Sequence, residues 1–449
     1  MSQSVSQYTE KDIQKIVEAS PFPSGSLFKL SLYCLIIVAV LSFVHGIVTG
    51  GQALVNSWMA LHVNFLFWFG LAAAASGFAA VFHICNAQWA RPLRRVFESA
   101  FPFFVISPLF ILVLYFGADN LFVWAREPVH GKEAWLSKGF LYGRDFFGVC
   151  LLVYVISRVV LGSLRMDITA IRKGFVKMPD GAIPERWKAK GYECLESKND
   201  SAEEGIQETY SMMGRMSPVC VMIYALSMSL IAFDLLMSAD PHWYSTMFGG
   251  FYFMSSVYSA VAFVSLSLVV LRSYHPIFRS AFKRKTLHDL GKLLFGFGIF
   301  WAYLFWSHYL PIWYSNMPEE TGYMILRLRE YPWRNVAWLV LGLCFIIPFF
   351  LGLSRDLKQV PVFLASTAVL VLVGLWLQYY LLFAPSIYTN EVSISVKDIA
   401  MALGFLSTFV LGVIYYLERV PLIPFADLLI DTRDKYLMEL EKAVAAKSK

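Results

Sequence analysis

Charge is what this sequence has least of. Only 16% of its 449 residues are Asp, Glu, Lys or Arg, against roughly 25% in a soluble domain. Hydrophobic residues make up 57% and mean hydropathy is +0.56, more apolar surface than a water-soluble core can hide. The loops that phosphate or peptide chemistry needs are missing too. There is no P-loop, GxGxxG, nucleophile elbow or HExxH. The six cysteines (Cys34, Cys85, Cys150, Cys194, Cys220 and Cys344) are scattered, mostly within apolar runs, and none forms a CxxC pair. That spacing indicates neither an iron–sulfur nor a zinc site, and packing is their expected role. The polar, partly acidic N-terminus shows no basic n-region and no cleavage site, so no cleaved signal peptide is expected. No internal repeat or low-complexity segment is visible.

Long apolar runs are what the chain does have. Ten are long enough to cross a bilayer, about 20 residues each: roughly 28–50, 58–84, 99–117, 142–164, 215–238, 246–271, 289–313, 335–353, 361–383 and 398–418. The chain therefore reads as an all-α integral membrane protein. It divides into an N-terminal arm (1–27), spans 1–4 (28–164), a loop (165–214), spans 5–10 (215–419) and a C-terminal tail (420–449). Basic residues follow the even-numbered spans: Arg91, Arg94 and Arg95; the run from Arg165 to Lys190; Arg272 to Lys285; Arg355 and Lys358; and Arg419, Arg433 and Lys435. The other loops are poorer in them, apart from a mixed patch at Arg327–Arg334. The positive-inside rule puts both termini in the cytoplasm, and Arg91–Arg95 reads as an anchor at anionic headgroups. The arm, up to Ser26, reads as interfacial or partner-bound. In the large loop, Met178–Ser201 is expected to be irregular, and Ser201 with the following Glu-Glu marks a helix start. Leu437, Leu440 and Val444 predict a short amphipathic helix over Asp431–Ala446. Pro311 and Pro348 are placed to kink spans 7 and 8. No cytoplasmic loop is large enough for a catalytic domain, so any chemistry belongs in the bundle or in a partner.

The stretch Phe233–Tyr252, FDLLMSADPHWYSTMFGGFY, concentrates polar groups inside an apolar context. Asp234 lies within a hydrophobic run, which makes it a functional-site candidate by default. Pairing by a neighbouring helix for packing alone is the other account. In the outer half, by the expected orientation, lie His45, His62, Asp234, Asp240, His242 and His308, with Glu319 and Glu320 in the next loop. On the inner side lie His83, Arg95, Glu98, His288 and Asp289. Three readings stay open. These groups line a quinone pocket or a proton path; or His45, His62 and His308 ligate b-type haem, although the two-per-helix histidine pairing that haem needs is absent; or each histidine is a satisfied interhelical hydrogen-bonder. The proton-path candidates are Asp234, His242 and His308 on the outer side, Asp240, Glu319 and Glu320 at the exit, and Arg95, Glu98 and His288 at the cytoplasmic mouth. The aromatic stretch Phe295–Tyr314 fits lipid-facing packing or a quinone-lining surface. A stand-alone secondary transporter is a further alternative, for which the Gly296-Phe297-Gly298 interruption is a weak hint.

FDLLMSADPHWYSTMFGGFYF (233–253) resembles the signature of the ActF-type membrane subunit of bacterial alternative complex III, a quinol:cytochrome c (electron-acceptor) oxidoreductase. That subunit belongs more distantly with the NrfD/polysulfide-reductase membrane subunits. NAQWARPLRRVFES (86–99), KGFLYGRDFFGVCLLVYVISR (138–158), FWAYLFWSHYLPIWYSNMPEETGY (300–323) and LGLSRDLK (351–358) extend the likeness, in order, over about 30–425. There are departures. Ser307-His308 stands where Ser-Gln is expected, Gln378 stands where a carboxylate is expected before Pro385, and the C-terminal motif is only loosely present as ADLLIDTRD. The resemblance implies two four-helix bundles plus two flanking helices in the bacterial inner membrane. It implies a scaffold and proton-translocating role in a quinol-oxidising respiratory or photosynthetic chain. The partners would be a sister NrfD-like subunit, an iron–sulfur protein, c-type cytochrome subunits and a terminal oxidase. No redox cofactor would be bound by this chain; quinol, c-type haem and iron–sulfur clusters would sit in the partners, and lipids around it. A polysulfide-reductase-like anchor with its own quinol site is the remaining alternative.

Overall fold

The computed structural model describes residues 10–18, 25–174, 183–389 and 391–426. The expected amphipathic helix at 431–446 and the ADLLIDTRD segment lie, apart from Ala426, outside the described residues. Among those described there is no strand. Ten helices are long and apolar enough to span a membrane: α1 (Ser26–Thr49), α2 (Gly51–Ile84), α3 (Phe101–Leu121), α4 (Lys138–Arg172), α5 (Ala202–Ala239), α6 (Phe248–Tyr274), α7 (Arg284–Ser315), α8 (Trp333–Leu353), α9 (Pro361–Ser386) and α10 (Val396–Leu417). The chain is an all-α, multi-span membrane protein.

Local chemistry sets several boundaries. α5 starts at Ala202 rather than near 215, because Ser201 stands at its N-cap in extended conformation and Glu203 and Glu204 put negative charge in the first turn. At the start of α10 the Ser395 hydroxyl and amide both bond the Asp398 carboxylate, at 2.8 and 2.6 Å, a capping box. α7 runs through Pro311 near its end. α8 instead takes a π-helical turn at Gly342–Ile346 just before Pro348, and the Tyr258 hydroxyl donates to the Cys344 carbonyl at 3.0 Å.

Helices α2–α5 close one four-helix bundle and α6–α9 a second; α1 and α10 pair with each other and lie on α2, and α10 also on α3. The large loop before α5 thus joins two helices of one bundle. α2 is the shared post. It touches α3, α5, α6, α9 and α10, and 89% of its apolar window is buried, against 11% for α1. Its run Gly70–Ala80 is mostly Ala, Gly and Ser, and small side chains let neighbouring helices approach on every side. The connection after α2, with a helical turn at Arg94–Glu98, tucks under the bundle and is buried. On the same face, which carries the start of α1 and the end of α10, the helix Glu10–Glu18 docks on the chain's own loop. Trp187 Nε1 donates to the Val17 carbonyl at 3.1 Å, so this helix of the arm touches the protein's own loop.

Close packing makes α2 and α3 testable. A Cβ at Gly117 would come within 2.3 Å of the buried Trp58 ring. Gly117→Leu should lower stability by about 1–3 kcal/mol, read as a reduced melting temperature in detergent. An unchanged value would mean that α2 and α3 do not meet there.

Candidate functional site

The polar centre of the protein lies where α4 and α5 meet, at the end of the bundle opposite the termini. Asp234, fully buried, receives Arg144 Nε at 2.7 Å and Nη2 at 2.5 Å, a bidentate pair. Arg144 is held in turn by Trp135. Its Nη1 donates to the Trp135 carbonyl at 3.0 Å, and its guanidinium lies 3.7 Å from the indole centroid. The next residue, Asp145, is fully buried as well. Among the described residues no N–H or hydroxyl donates to either of its carboxyl oxygens. Its polar neighbour is the Asp234 carboxyl, within hydrogen-bonding reach. Of the two carboxyl groups the guanidinium bonds Asp234 alone, and Asp145 lies behind that pair. A carboxyl–carboxyl hydrogen bond requires a proton on one of them, and neutrality of the trio requires the same proton.

Spacing on α4 continues the site outward. Lys138, Tyr142 and Asp145 follow at i, i+4 and i+7, on one helix face. Lys138 pairs with Asp119 at 2.5 Å at the surface, and the Tyr142 hydroxyl is buried without a hydrogen-bond partner among the described residues. On the other flank a cavity of about 390 Å³ is lined by Lys132, Glu133, Trp135, Phe233, Ser238 and Asp240 among others; Trp135 and Phe233 stand between it and the Asp234–Arg144 pair. One histidine of α2 supports the backbone: His62 Nε2 donates to the Leu235 carbonyl at 2.7 Å.

The structure places the remaining sequence candidates as follows. Asp240 is half-buried in the cavity wall. His308 is buried; its Nδ1 lies 3.2 Å from the Ser245 hydroxyl and its ring 5.3 Å from Trp243. His242 and Glu319 are exposed, and Glu320 is half-buried in the first turn of the helix Pro318–Leu328. His288 is half-buried, 3.9 Å from Asp289, which Lys292 also contacts at 3.0 Å. His45 is exposed, with Nδ1 3.3 Å from the Thr49 hydroxyl. Trp243 stacks on Tyr323 at 3.7 Å, Arg327 covers Tyr323 at 3.4 Å, and Arg327 grips the Leu382 carbonyl and the Ser386 hydroxyl at 2.9 and 2.7 Å. Burial pulls the Arg327 guanidinium below its ordinary value, while Tyr323 and Asp240 act the other way. Gln378 is buried, accepting from Trp301 Nε1 at 2.7 Å and donating to the Ser255 hydroxyl at 3.1 Å. It is a neutral link there.

The terminal face holds a second charged cluster, and it corrects the headgroup-anchor reading of Arg94 and Arg95. Both are buried, because the connection they sit on folds under the bundle onto internal carboxylates. Arg95 bonds Glu98, Asp167 and the Ser163 hydroxyl. Arg94 bonds Glu98 at 3.0 Å, and the Tyr416 hydroxyl donates to Glu98 at 2.8 Å. Asp167 also accepts the amides of Phe425 and Ala426 at 3.2 and 2.9 Å. Burial works against charge on Arg95, yet Glu98 and Asp167 outweigh it and hold the guanidinium well above its ordinary value. Among the described residues two arginines here meet two carboxylates. It staples α4, α10 and the chain after α10 to the buried connection.

No protein-family model matches this chain, and no curated protein does. The site therefore rests on its own geometry. Sequence reasoning found Asp234 but missed Arg144, Asp145 and Trp135. The available signal was an Arg-Asp pair inside an apolar helix, which is costly unless both are satisfied internally.

The two clusters predict different consequences. Arg95→Ala strands buried carboxylates and should cost about 3–5 kcal/mol, seen as a large fall in melting temperature or in accumulated protein. The exposed Arg279→Ala should stay within about 0.5 kcal/mol. Equal effects would refute the staple.

Proposed function

We propose that this chain is a proton-handling membrane subunit of a quinol-oxidising electron-transfer complex of the alternative complex III type. The observation that carries the proton-handling part is the buried Asp145–Asp234 carboxyl pair with a single guanidinium on Asp234, parted from a cavity by Trp135 and Phe233. An intramembrane carboxylate is costly to keep and marks ion or proton pathways, and this pair holds one proton for charge balance. The complex itself is supported by the ordered resemblance of motifs over 30–425 and by the arrangement of two four-helix bundles with two flanking helices. In this reading quinol is oxidised by the assembly at the cavity-bearing face, and the iron–sulfur and haem groups belong to partners.

The chemistry at the site is proton transfer alone. Asp145 or Asp234 takes a proton from water in the cavity or through Tyr142, and Arg144 compensates the charge of whichever carboxylate is left. Release reverses the step. Asp240 is the cavity-side carboxylate, and His308 with Ser245 is a separate hydroxyl–imidazole pair on the second bundle. Arg95 and Glu98 serve the terminal-face staple in this proposal, outside the proton route.

The test uses the native assembly. Purified from its own membranes in mild detergent, the chain should bring with it c-type cytochromes, an iron–sulfur protein and a second multi-span subunit. In reconstituted vesicles, Asp145→Asn and Asp234→Asn should each lower turnover or the proton-to-electron ratio while the complex remains assembled. Each should also remove a protonated-carboxyl C=O band from the infrared spectrum. Wild-type values of both rates with an unchanged band would eliminate the proton site. A lone chain without haem or partners would eliminate the complex.

A further inference from the structure

Between Asp145 and Arg165, helix α4 carries a single charged residue, Arg158. Asp145 and Arg165 are about 30 Å apart along the axis at 1.5 Å per residue, the thickness of a bilayer's hydrocarbon core. Counted from Arg165, Arg158 lies roughly 10 Å inside that core. α4 buries one side against α2, α3 and α5. Its other side stays exposed at Phe140, Phe147, Tyr154 and Leu161, a seven-residue spacing that runs along one helix face. Arg158 stands on this stripe, four residues after Tyr154 and three before Leu161. It is itself exposed, and among the described residues no acceptor meets its guanidinium.

An arginine facing hydrocarbon is costly, and ionisable side chains in spans almost always turn to a partner or to water. Near a span's end a guanidinium can reach the headgroups along its own stem. Here the stem starts in the other direction. A helical Cα–Cβ bond leans toward the helix N-terminus, and α4 runs from the cavity-bearing face to the terminal face, so Arg158 leans away from the nearer headgroups. A second copy of this chain offers no acid to meet it. Among the described residues Asp145 and Asp234 are buried, and Asp119, Asp289 and Glu418 lie near span ends.

We infer that the exposed face of α4 around Tyr154, Arg158 and Leu161 docks a transmembrane helix of another protein, and that this helix presents an Asp or Glu carboxylate to Arg158. The carboxylate takes the guanidinium in a charge-assisted pair, and the apolar stripe on either side supplies the packing. The inference needs a membrane partner, as the proposed complex does, and is independent of that complex's redox chemistry.

Native electrophoresis of the full-length chain, extracted from its own membranes in mild detergent, tests this. The wild type should migrate in an assembly larger than the chain. Arg158→Leu, whose side chain suits lipid, should cut the assembled fraction about tenfold or more, as expected when a desolvated charge pair loses one member. The melting temperature of the isolated variant should not fall. Arg158→Lys keeps the charge and should lose less. A photo-crosslinking residue placed at Tyr154, with Arg158 intact, should capture a partner helix that carries Asp or Glu within a turn of the captured residue. A wild type that migrates alone overturns both this inference and the complex. An assembled fraction unchanged by Arg158→Leu, or crosslinks from Tyr154 to lipid alone or to a helix without a carboxylate, overturns the interface and leaves the complex standing.

Discussion

A charge buried in this fold survives where opposite charge or converging hydrogen bonds meet it. Ionic groups far from water are costly in proportion to the lost solvation, and geometry must return that loss through pairing and hydrogen bonds. Both ends of α4 obey this rule around an arginine. Asp145 and Asp167 lie on one helix, roughly 33 Å apart along its axis, and each is turned inward to a cluster that fixes how α4 sits. The middle of the fold is held instead by neutral hydroxyls, indoles and one amide, such as Ser255, Trp301 and Gln378.

Hydrogen bonding separates the two ends. At the terminal face Arg94 and Arg95 meet Glu98 and Asp167, and two backbone amides take up the spare oxygen of Asp167. Such a cluster is a fastening. Where α4 meets α5, Arg144 bonds Asp234, and no donor within the described protein satisfies Asp145. The same residue types are thus tied to one another at one end and leave a carboxyl without a donor at the other.

Much of the fold was legible because the bilayer demands long apolar runs, and ten of them stand out between Phe28 and Glu418. Span ends were less so: α5 continues thirteen residues below its expected start because Ser201 caps it and loop residues pack beneath. Asp234 stood out for its apolar flanks. Arg144 and Asp145 did not, since charged residues at a span's edge look the same whether they turn toward headgroups or inward to a partner. Arg94 and Arg95 misled for that reason: hydropathy records where a residue sits along the chain and is silent about which way the chain folds back. His242 is close to Asp234 in sequence, yet it and Glu319 are exposed, while Trp243 next to His242 is buried against Tyr323. The partner of Asp234 came from a helix ninety residues earlier, a pairing set by tertiary packing alone.

The shared post α2 links the site to the rest of the molecule. His62 holds the carbonyl of Leu235, the residue after Asp234, and its ring lies 4.3 Å from Phe383 at the end of α9. Arg327 grips the same end of α9 at Leu382 and Ser386, and its aromatic cover, Tyr323, stacks on Trp243 of the hairpin after α5. The backbone after Asp234 is thus held by α2 on one side, and the hairpin that follows it packs on the second bundle. Contacts alone carry no signal; coupling requires an element with two arrangements. In the proposed proton site, the Asp145–Asp234 carboxyl pair beside Arg144 would be that element.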